Sequence, residues 1–274
     1  MREVRVPRWR PTLLIWASIV LHLLCLLWLI AAPAHWPWSL GAVAANHALL
    51  TLLGLWPRSR WLGANCTRLP DAAVAQKQWA LTIDDGPDPA VTPRVLDILD
   101  RHGAKATFFC IGDKAARHPE LCRDIVHRGH AIENHTQHHR HTFALLGLTA
   151  LTREIQAAQT TLAGITGRTP AFFRAPAGIR SPLLDPVLSK LGLRLVAWTR
   201  RGFDTRVSNA ATVSRRLLRN LEPGAILLLH DGNSARSPQG LPVILEVLPT
   251  LLEAAAASGL RTVTLAEALP QHNP

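Results

Sequence analysis

From Gln78 onward, short apolar runs alternate with amphipathic stretches, a rhythm that commits this part of the chain to an α/β fold with a mainly parallel sheet. Strands are expected at 79–83, 106–111, 130–133, 171–173, 194–198, 225–229 and 261–264. Between them lie helical patterns. The clearest carry Leu151, Ile155, Ala158 and Leu162, then Ile244, Val247, Leu248, Leu251, Leu252 and Ala255, at the three- and four-residue spacing of one buried helix face. About seven such alternations give a sheet that is either open or closed into a barrel. In both cases the strand C-termini share one face. Asp84, Asp85, Arg174, His230 and Asp231 each follow an apolar run, so the fold should draw them together.

Four clusters carry chemistry. Asp84-Asp85-Gly86-Pro87 sets two carboxylates at a strand end, where only an irregular turn lets adjacent side chains enter one site. His135-Thr136-Gln137-His138-His139 spaces two imidazoles four apart, which on a helical turn would place both on one face. Two imidazoles and one carboxylate, with a position left for water, form a catalytic divalent-metal ligand set, preferably for zinc. Arg174-Ala175-Pro176-Ala177-Gly178 and Leu229-His230-Asp231-Gly232 each deliver one polar side chain from an apolar strand into a turn. Each cluster alone has a plainer reading: an Asp-Gly turn, a His-rich surface loop, a structural ion pair, a capped turn. Four together, each at a strand end, argue for one site.

The N-terminal part is different in kind. Residues 12–32 form an apolar run of about the length that crosses a bilayer, interrupted only by His22. Arg2, Arg5, Arg8 and Arg10 precede it, which holds the N-terminus on the cytoplasmic side. A cleaved signal peptide is the competing reading, but the run exceeds a usual signal core. A second stretch, 38–56, carries Gly41, Asn46, His47 and Gly54 and is a poorer span that could cross or lie flat. Arg58 and Arg60 follow it at once while the connecting turn is uncharged. That charge placement favours a hairpin, with the rest of the chain on the cytoplasmic face of a cell membrane. The expected organisation is an anchor over 1–60, a linker over 61–77 and a catalytic domain over 78–270.

Of the 274 residues 48% are hydrophobic and only 18% charged, which excludes a disordered chain. The formal net charge of +11 comes without a basic run or a nucleic-acid-binding signature, so no nucleic-acid partner is expected. Cys25, Cys66, Cys110 and Cys122 form no metal-binding CxxC pair, and Cys25, Cys110 and Cys122 read as small buried hydrophobes.

These motifs resemble the polysaccharide deacetylases of carbohydrate esterase family 4, the NodB homology domain, over about 78–270. The TFDDGP, H(S/T)xxH and RxPxG motifs of that family align with 82–87, 135–139 and 174–178, and its closing LxxH-type motif ends at His230. The resemblance implies a distorted (β/α) barrel in which Asp84 is the catalytic base and Asp85, His135 and His139 bind the metal, most often Zn²⁺, with Co²⁺ an alternative. It further implies that Arg174 positions Asp84, that His230 is the general acid and that Asp204 orients His230. Pro176, Gly178 and Trp198 are expected beside substrate. The departures are Ala177, where the family often has an aromatic residue, Thr205 in place of a Trp, and the lack of any Tyr, so a sugar-stacking ring must come from Trp198, Phe143 or Phe203.

The implied substrate is an N-acetylated amino sugar in a glycan. The alternatives are a membrane-tethered deacylase or deformylase of a lipid-linked sugar, with membrane lipid contacted through the N-terminus, and a non-enzymatic glycan-binding module.

Overall fold

The computed structural model describes residues 9–219 and 221–269. The expected charges at Arg2, Arg5 and Arg8, and the domain end at Pro270, lie outside the described residues. The chain opens with two 19-residue helices, α1 (Leu13–Ala31) and α2 (Trp36–Gly54), joined by a short turn. They run side by side as a hairpin: Asn46 Nδ2 donates to Ser18 Oγ at 2.8 Å, and the Nε2 atoms of His22 and His47 lie 3.3 Å apart. Among the described residues only α1 is long and apolar enough to cross a membrane by hydropathy.

After α3 (Asp71–Ala75), the sheet begins with β1 (Gln78–Asp84). Next come α4 (Thr92–Arg101), β2 (Ala106–Cys110), α5 (Gly112–Arg117), α6 (Pro119–His127), β3 (Ala131–Asn134) and α7 (Leu148–Thr166). The series continues through β4 (Phe172–Phe173), α8 (Leu184–Lys190), β5 (Arg194–Leu195), β6 (Arg200–Arg201), α9 (Ala210–Leu218), β7 (Ile226–His230), α10 (Val243–Ala257), β8 (Arg261–Thr262) and α11 (Leu265–Ala268). All strand pairs are parallel, in the order β5-β4-β3-β2-β1-β7-β6, with β8 added to the start of β1. The result is the expected α/β architecture, a curled parallel half-barrel.

β1 is buried along its whole length because helices cover one side of the sheet and the curl closes over the other. α4, α9 and α10 supply Val95, Leu96, Leu99, Val213, Leu217, Ile244, Val247 and Leu248 to the main core, where they meet Leu81, Ile83 and Leu227. A smaller cluster holds Ala80, Phe109, Phe172, Val196 and Ile226.

Two expectations need correction. The strand expected over 194–198 ends at Leu195, and the chain beyond 198 forms β6 against β7, so β4 is paired before the break and β7 after it. Residues 61–77 are no free linker. Cys66 bridges Val196, Arg68 bridges Ala225, and Leu69 N donates to Gly224 O at 2.8 Å, so this stretch closes the gap between β5 and β7. Unpaired backbone at that gap would otherwise be buried without partners.

Candidate active site

Asp84 is the last residue of β1 and points into the curl. Asp85 adopts φ 71°, which breaks the strand alternation and turns its carboxylate toward the same space. The turn is held from behind. Lys114 Nζ donates to Asp85 O at 2.8 Å, Ile111 N donates to Gly86 O at 2.9 Å, and buried Asp231 accepts from Thr92 Oγ1 at 2.5 Å.

The two imidazoles reach Asp85 by a route other than the expected helical turn. His135 directly follows β3, and 135–139 is a loop in which Thr136 and His139 have φ of 67° and 51°. Local side chains satisfy this backbone: Thr136 N donates to Asn134 Oδ1 and His139 N to Thr136 Oγ1, each at 2.9 Å. The Nε2 atoms of His135 and His139 each lie 3.2 Å from Asp85 Oδ1. His135 Nδ1 donates to Arg174 O at 2.8 Å, which leaves the Nε2 lone pair facing the carboxylate. His138 turns away, its Nδ1 hydrogen-bonded to Oε2 of buried Glu154 at 2.8 Å.

Asp85 Oδ1 is buried with no hydrogen-bond partner, and one ligand atom from each of Asp85, His135 and His139 falls within 4.8 Å of the others. An orphaned buried oxygen facing two imidazole nitrogens is costly by itself and fits a divalent cation. Burial opposes ionisation of Asp85, but His135 beside it, with His230 and His139, holds its carboxyl well below the usual range. Burial, reinforced by His135, lowers His139 to about 4, so its ring is a neutral ligand at physiological pH.

The guanidinium of Arg174, a residue only 1% exposed, makes four hydrogen bonds. Nη1 donates to Asp84 Oδ1 and Thr82 Oγ1, each at 2.7 Å, Nε to Val196 O at 3.1 Å, and Nη2 to Ala197 O at 2.8 Å. The Phe109 ring lies beneath the guanidinium, 4.1 Å from its centroid. Asp84 is thus locked in orientation, its Oδ2 3.9 Å from His135 Nε2. At the end of β7, His230 Nδ1 donates to Asp204 Oδ1 at 3.0 Å, and its backbone N donates to Asp204 Oδ2 at 2.7 Å. Burial lowers the pKa of His230, but the charge and hydrogen bond of Asp204, aided by Asp84 and Asp85, outweigh it and raise the value to about 9.

The structure therefore brings together Asp84, Asp85, His135, His139, Arg174, Asp204 and His230. Of the three residues expected beside substrate, Gly178 and Trp198 line a small cavity with Arg174, and all three, Pro176 included, are buried. A Cβ on Gly178 would lie 2.6 Å from Trp198 Cη2 and 2.7 Å from Pro57 Cβ, so only a bare α-carbon fits there and that edge of the indole is covered. Phe143 is buried too, which leaves Phe203, 41% exposed under Arg201, as the open ring. Sequence reasoning missed Thr82, Lys114 and Asn233, whose Nδ2 donates to Asp85 Oδ2 at 3.1 Å. Asn233 lies two residues beyond His230-Asp231, and its positive φ of 60° suits Asn, but no spacing rule links it to Asp85.

The family profile described as polysaccharide deacetylase matches residues 71–196. A chitooligosaccharide deacetylase of Azorhizobium caulinodans is 40% identical over 164 residues, 59% of this chain and 78% of that one. A peptidoglycan-N-acetylglucosamine deacetylase of Bacillus cereus is 32% identical over 196 residues, 71% of this chain and 89% of the other. Among solved structures, a peptidoglycan N-acetylglucosamine deacetylase superposes with a TM-score of 0.66 at 29% identity, covering 74% of this chain and 92% of that one. The family 4 carbohydrate esterase of Streptomyces lividans superposes at 0.61 with 31% identity, covering 68% and 91%.

Proposed function

The chain belongs to the polysaccharide deacetylase family of hydrolases, and on that premise we propose that it removes the acetyl group from an N-acetylated amino sugar in a metal-dependent reaction. The carrying observation is the orphaned Asp85 Oδ1 between two imidazole nitrogens, next to an Asp84 carboxylate fixed by Arg174. Asp85, His135 and His139 would hold the ion, zinc by preference and cobalt as the alternative. Bound there, a divalent cation lowers the pKa of water and polarises an amide carbonyl.

The chain's own groups do the rest. Asp84, held by Arg174 on Oδ1, keeps Oδ2 for the proton of the attacking water. The backbone beside Ala175 to Ala177 would carry an N–H for the developing oxyanion, and the left-handed φ of Ala177, 54°, turns the chain there. His230, charged through neutral pH with Asp204 behind it, donates a proton to the departing amine. The C–N bond breaks, the water oxygen joins the acyl carbon, and acetate and the free amino sugar leave.

The hairpin of α1 and α2 is the proposed membrane anchor. Nineteen residues of helix at ~1.5 Å each span roughly 28 Å, close to a hydrocarbon core, and α1 leaves Leu23, Leu24, Leu26, Leu27 and Ile30 exposed. Arg10, Arg58 and Arg60 flank the ends that adjoin the catalytic domain, which supports a cytoplasmic-facing site.

The test assays purified protein, zinc-loaded and chelated, for acetate release from N-acetyl oligosaccharides. Asp84→Asn should keep about one zinc per chain and lose on the order of 10²–10⁴-fold in turnover. Near wild-type turnover by that variant, or full activity after chelation, would refute the reading.

A further inference from the structure

The hairpin meets the catalytic domain at the active-site loop and not through a tether. Arg180 N donates to Gly54 O at 3.1 Å, the Arg180 guanidinium reaches Ser59 O, and a Cβ on Gly54 would overlap the Arg180 carbonyl oxygen. Pro57 packs on Gly178, Arg58 Nη1 donates to Thr199 O at 3.2 Å, and Trp9 Nε1 donates to Asp185 Oδ2 at 2.8 Å. Thr12 Oγ1 donates to Trp61 O at 2.7 Å, and Asn65 Nδ2 pins the turn through Pro57 O at 2.8 Å and Ser59 O at 3.0 Å. Arg180 and Ser59 are buried at this junction, 4% and 1% exposed. Every contact that a swinging anchor would have to break is in place.

This docking sets the height of the site above the membrane. The exposed indoles of Trp9, Trp56 and Trp61 mark the domain-side ends of the hairpin, the level at which tryptophan lies in the headgroup layer. Pro57, next to Trp56, touches Gly178, and Gly178 is four residues from Arg174, which holds Asp84. At ~3.5 Å per residue, that chain covers about 14 Å at most. A flexible linker would let an anchored enzyme sample polymer far from the bilayer. A rigid junction confines it to sugars at the surface. The buried state of Trp198 and Phe143 removes the ring row that a long glycan would lie on. Arg10, Arg58 and Arg60, exposed at the domain-side ends of the hairpin, instead present positive charge along this edge, suited to a sugar joined to its carrier through phosphate.

We infer that the docked hairpin and its bilayer form one wall of the active site, and that the substrate is a lipid-linked N-acylated amino sugar carried in the same membrane. This rests on the deacetylase reading and adds its substrate class.

The test uses the full chain, zinc-loaded, in nanodiscs. Acetate release is compared between a polyprenyl-phosphate-linked N-acetylglucosamine in the disc and a soluble chitooligosaccharide. The membrane-borne sugar should have a kcat/KM at least about tenfold higher, beyond the ~1.4 kcal/mol that one decade represents. Gly54→Leu, which leaves the helices in the disc but forces α2 off the Arg180 loop, should erase most of that preference, read as the ratio of the two kcat/KM values, while bound zinc stays at about one per chain. Equal or better use of the soluble sugar by wild type overturns the inference and leaves the deacetylase reading standing, whatever the variant does. A preference unchanged in a Gly54→Leu protein that binds zinc also overturns it, because mere co-localisation would then suffice. Release from neither substrate overturns both readings.

Discussion

Asp204→Asn isolates the group that keeps His230 charged. In the native protein the His230 ring is raised from 6.5 to about 9, with burial acting against the rise and Asp204 as its largest supporter. At ~1.4 kcal/mol per pH unit, the rise favours the imidazolium by about 3 kcal/mol. The amide of Asn preserves size and can still accept one of the two hydrogen bonds that Asp204 takes from the ring and backbone of His230. Its charge is gone, so burial controls the ring and should bring the value to or below 6.5. At pH 7.5, about one ring in ten or fewer then carries the proton needed by the leaving amine. The sign follows. Acid catalysis by His230 persists below its folded pKa and is lost as pH rises through it, so wild-type kcat/KM should fall on the alkaline side near pH 9. The variant's alkaline limb should move acidward by at least about two pH units, with kcat/KM at pH 7.5 down by roughly 10-fold or more. Zinc-loaded enzyme and an N-acetyl oligosaccharide suffice for the pH–rate profile, with metal stoichiometry as the control. An unmoved alkaline limb in a folded, metal-bound variant would refute the assignment of that limb to His230.

Other groups give equally direct readouts. His139→Ala should bind substoichiometric zinc under dialysis that leaves wild type loaded, as measured by elemental analysis, because one of three converging nitrogen and oxygen atoms is gone. Arg174→Met removes the partner of a buried carboxylate and should cost about 3–5 kcal/mol in denaturant unfolding, along with turnover. Burial raises Glu133 to about 8, opposed by hydrogen bonds from Phe172 N and Ala171 N, so the folded chain keeps a proton that the unfolded chain sheds above 4.5. Native stability should therefore decline as pH climbs from 4.5 to about 8, and Glu133→Gln should flatten that slope in urea titrations across the range.

Much of the site was readable because strand ends are readable. Apolar runs such as 226–229 announce strands, a parallel topology puts their ends on one face, and the polar residue after each run is then a candidate. The same logic located the helix faces of α7 and α10. It failed at 135–139, where four-residue spacing suggested a helical turn and the chain instead uses two left-handed residues capped by Asn134 and Thr136 side chains. It failed again at 61–77, where a stretch poor in periodicity reads as a linker but finds its partners in Val196, Gly224 and Ala225.

Local pattern alone settled the α/β rhythm, the apolar N-terminal helix and the residue types available for metal and proton chemistry, because periodicity and strand-end polarity act over a few neighbouring residues. Folding in three dimensions decided that Arg174 spends its guanidinium on Thr82 and Asp84, that Asp204 lies behind His230, and that Pro57 covers Gly178. Those partners are 26 to 121 residues apart along the chain. Hydrogen bonding and close packing act over a few ångströms, so contacts between such distant residues exist only once the sheet has curled; local pattern could not pair them, and only the motif resemblance anticipated Arg174 with Asp84 and Asp204 with His230.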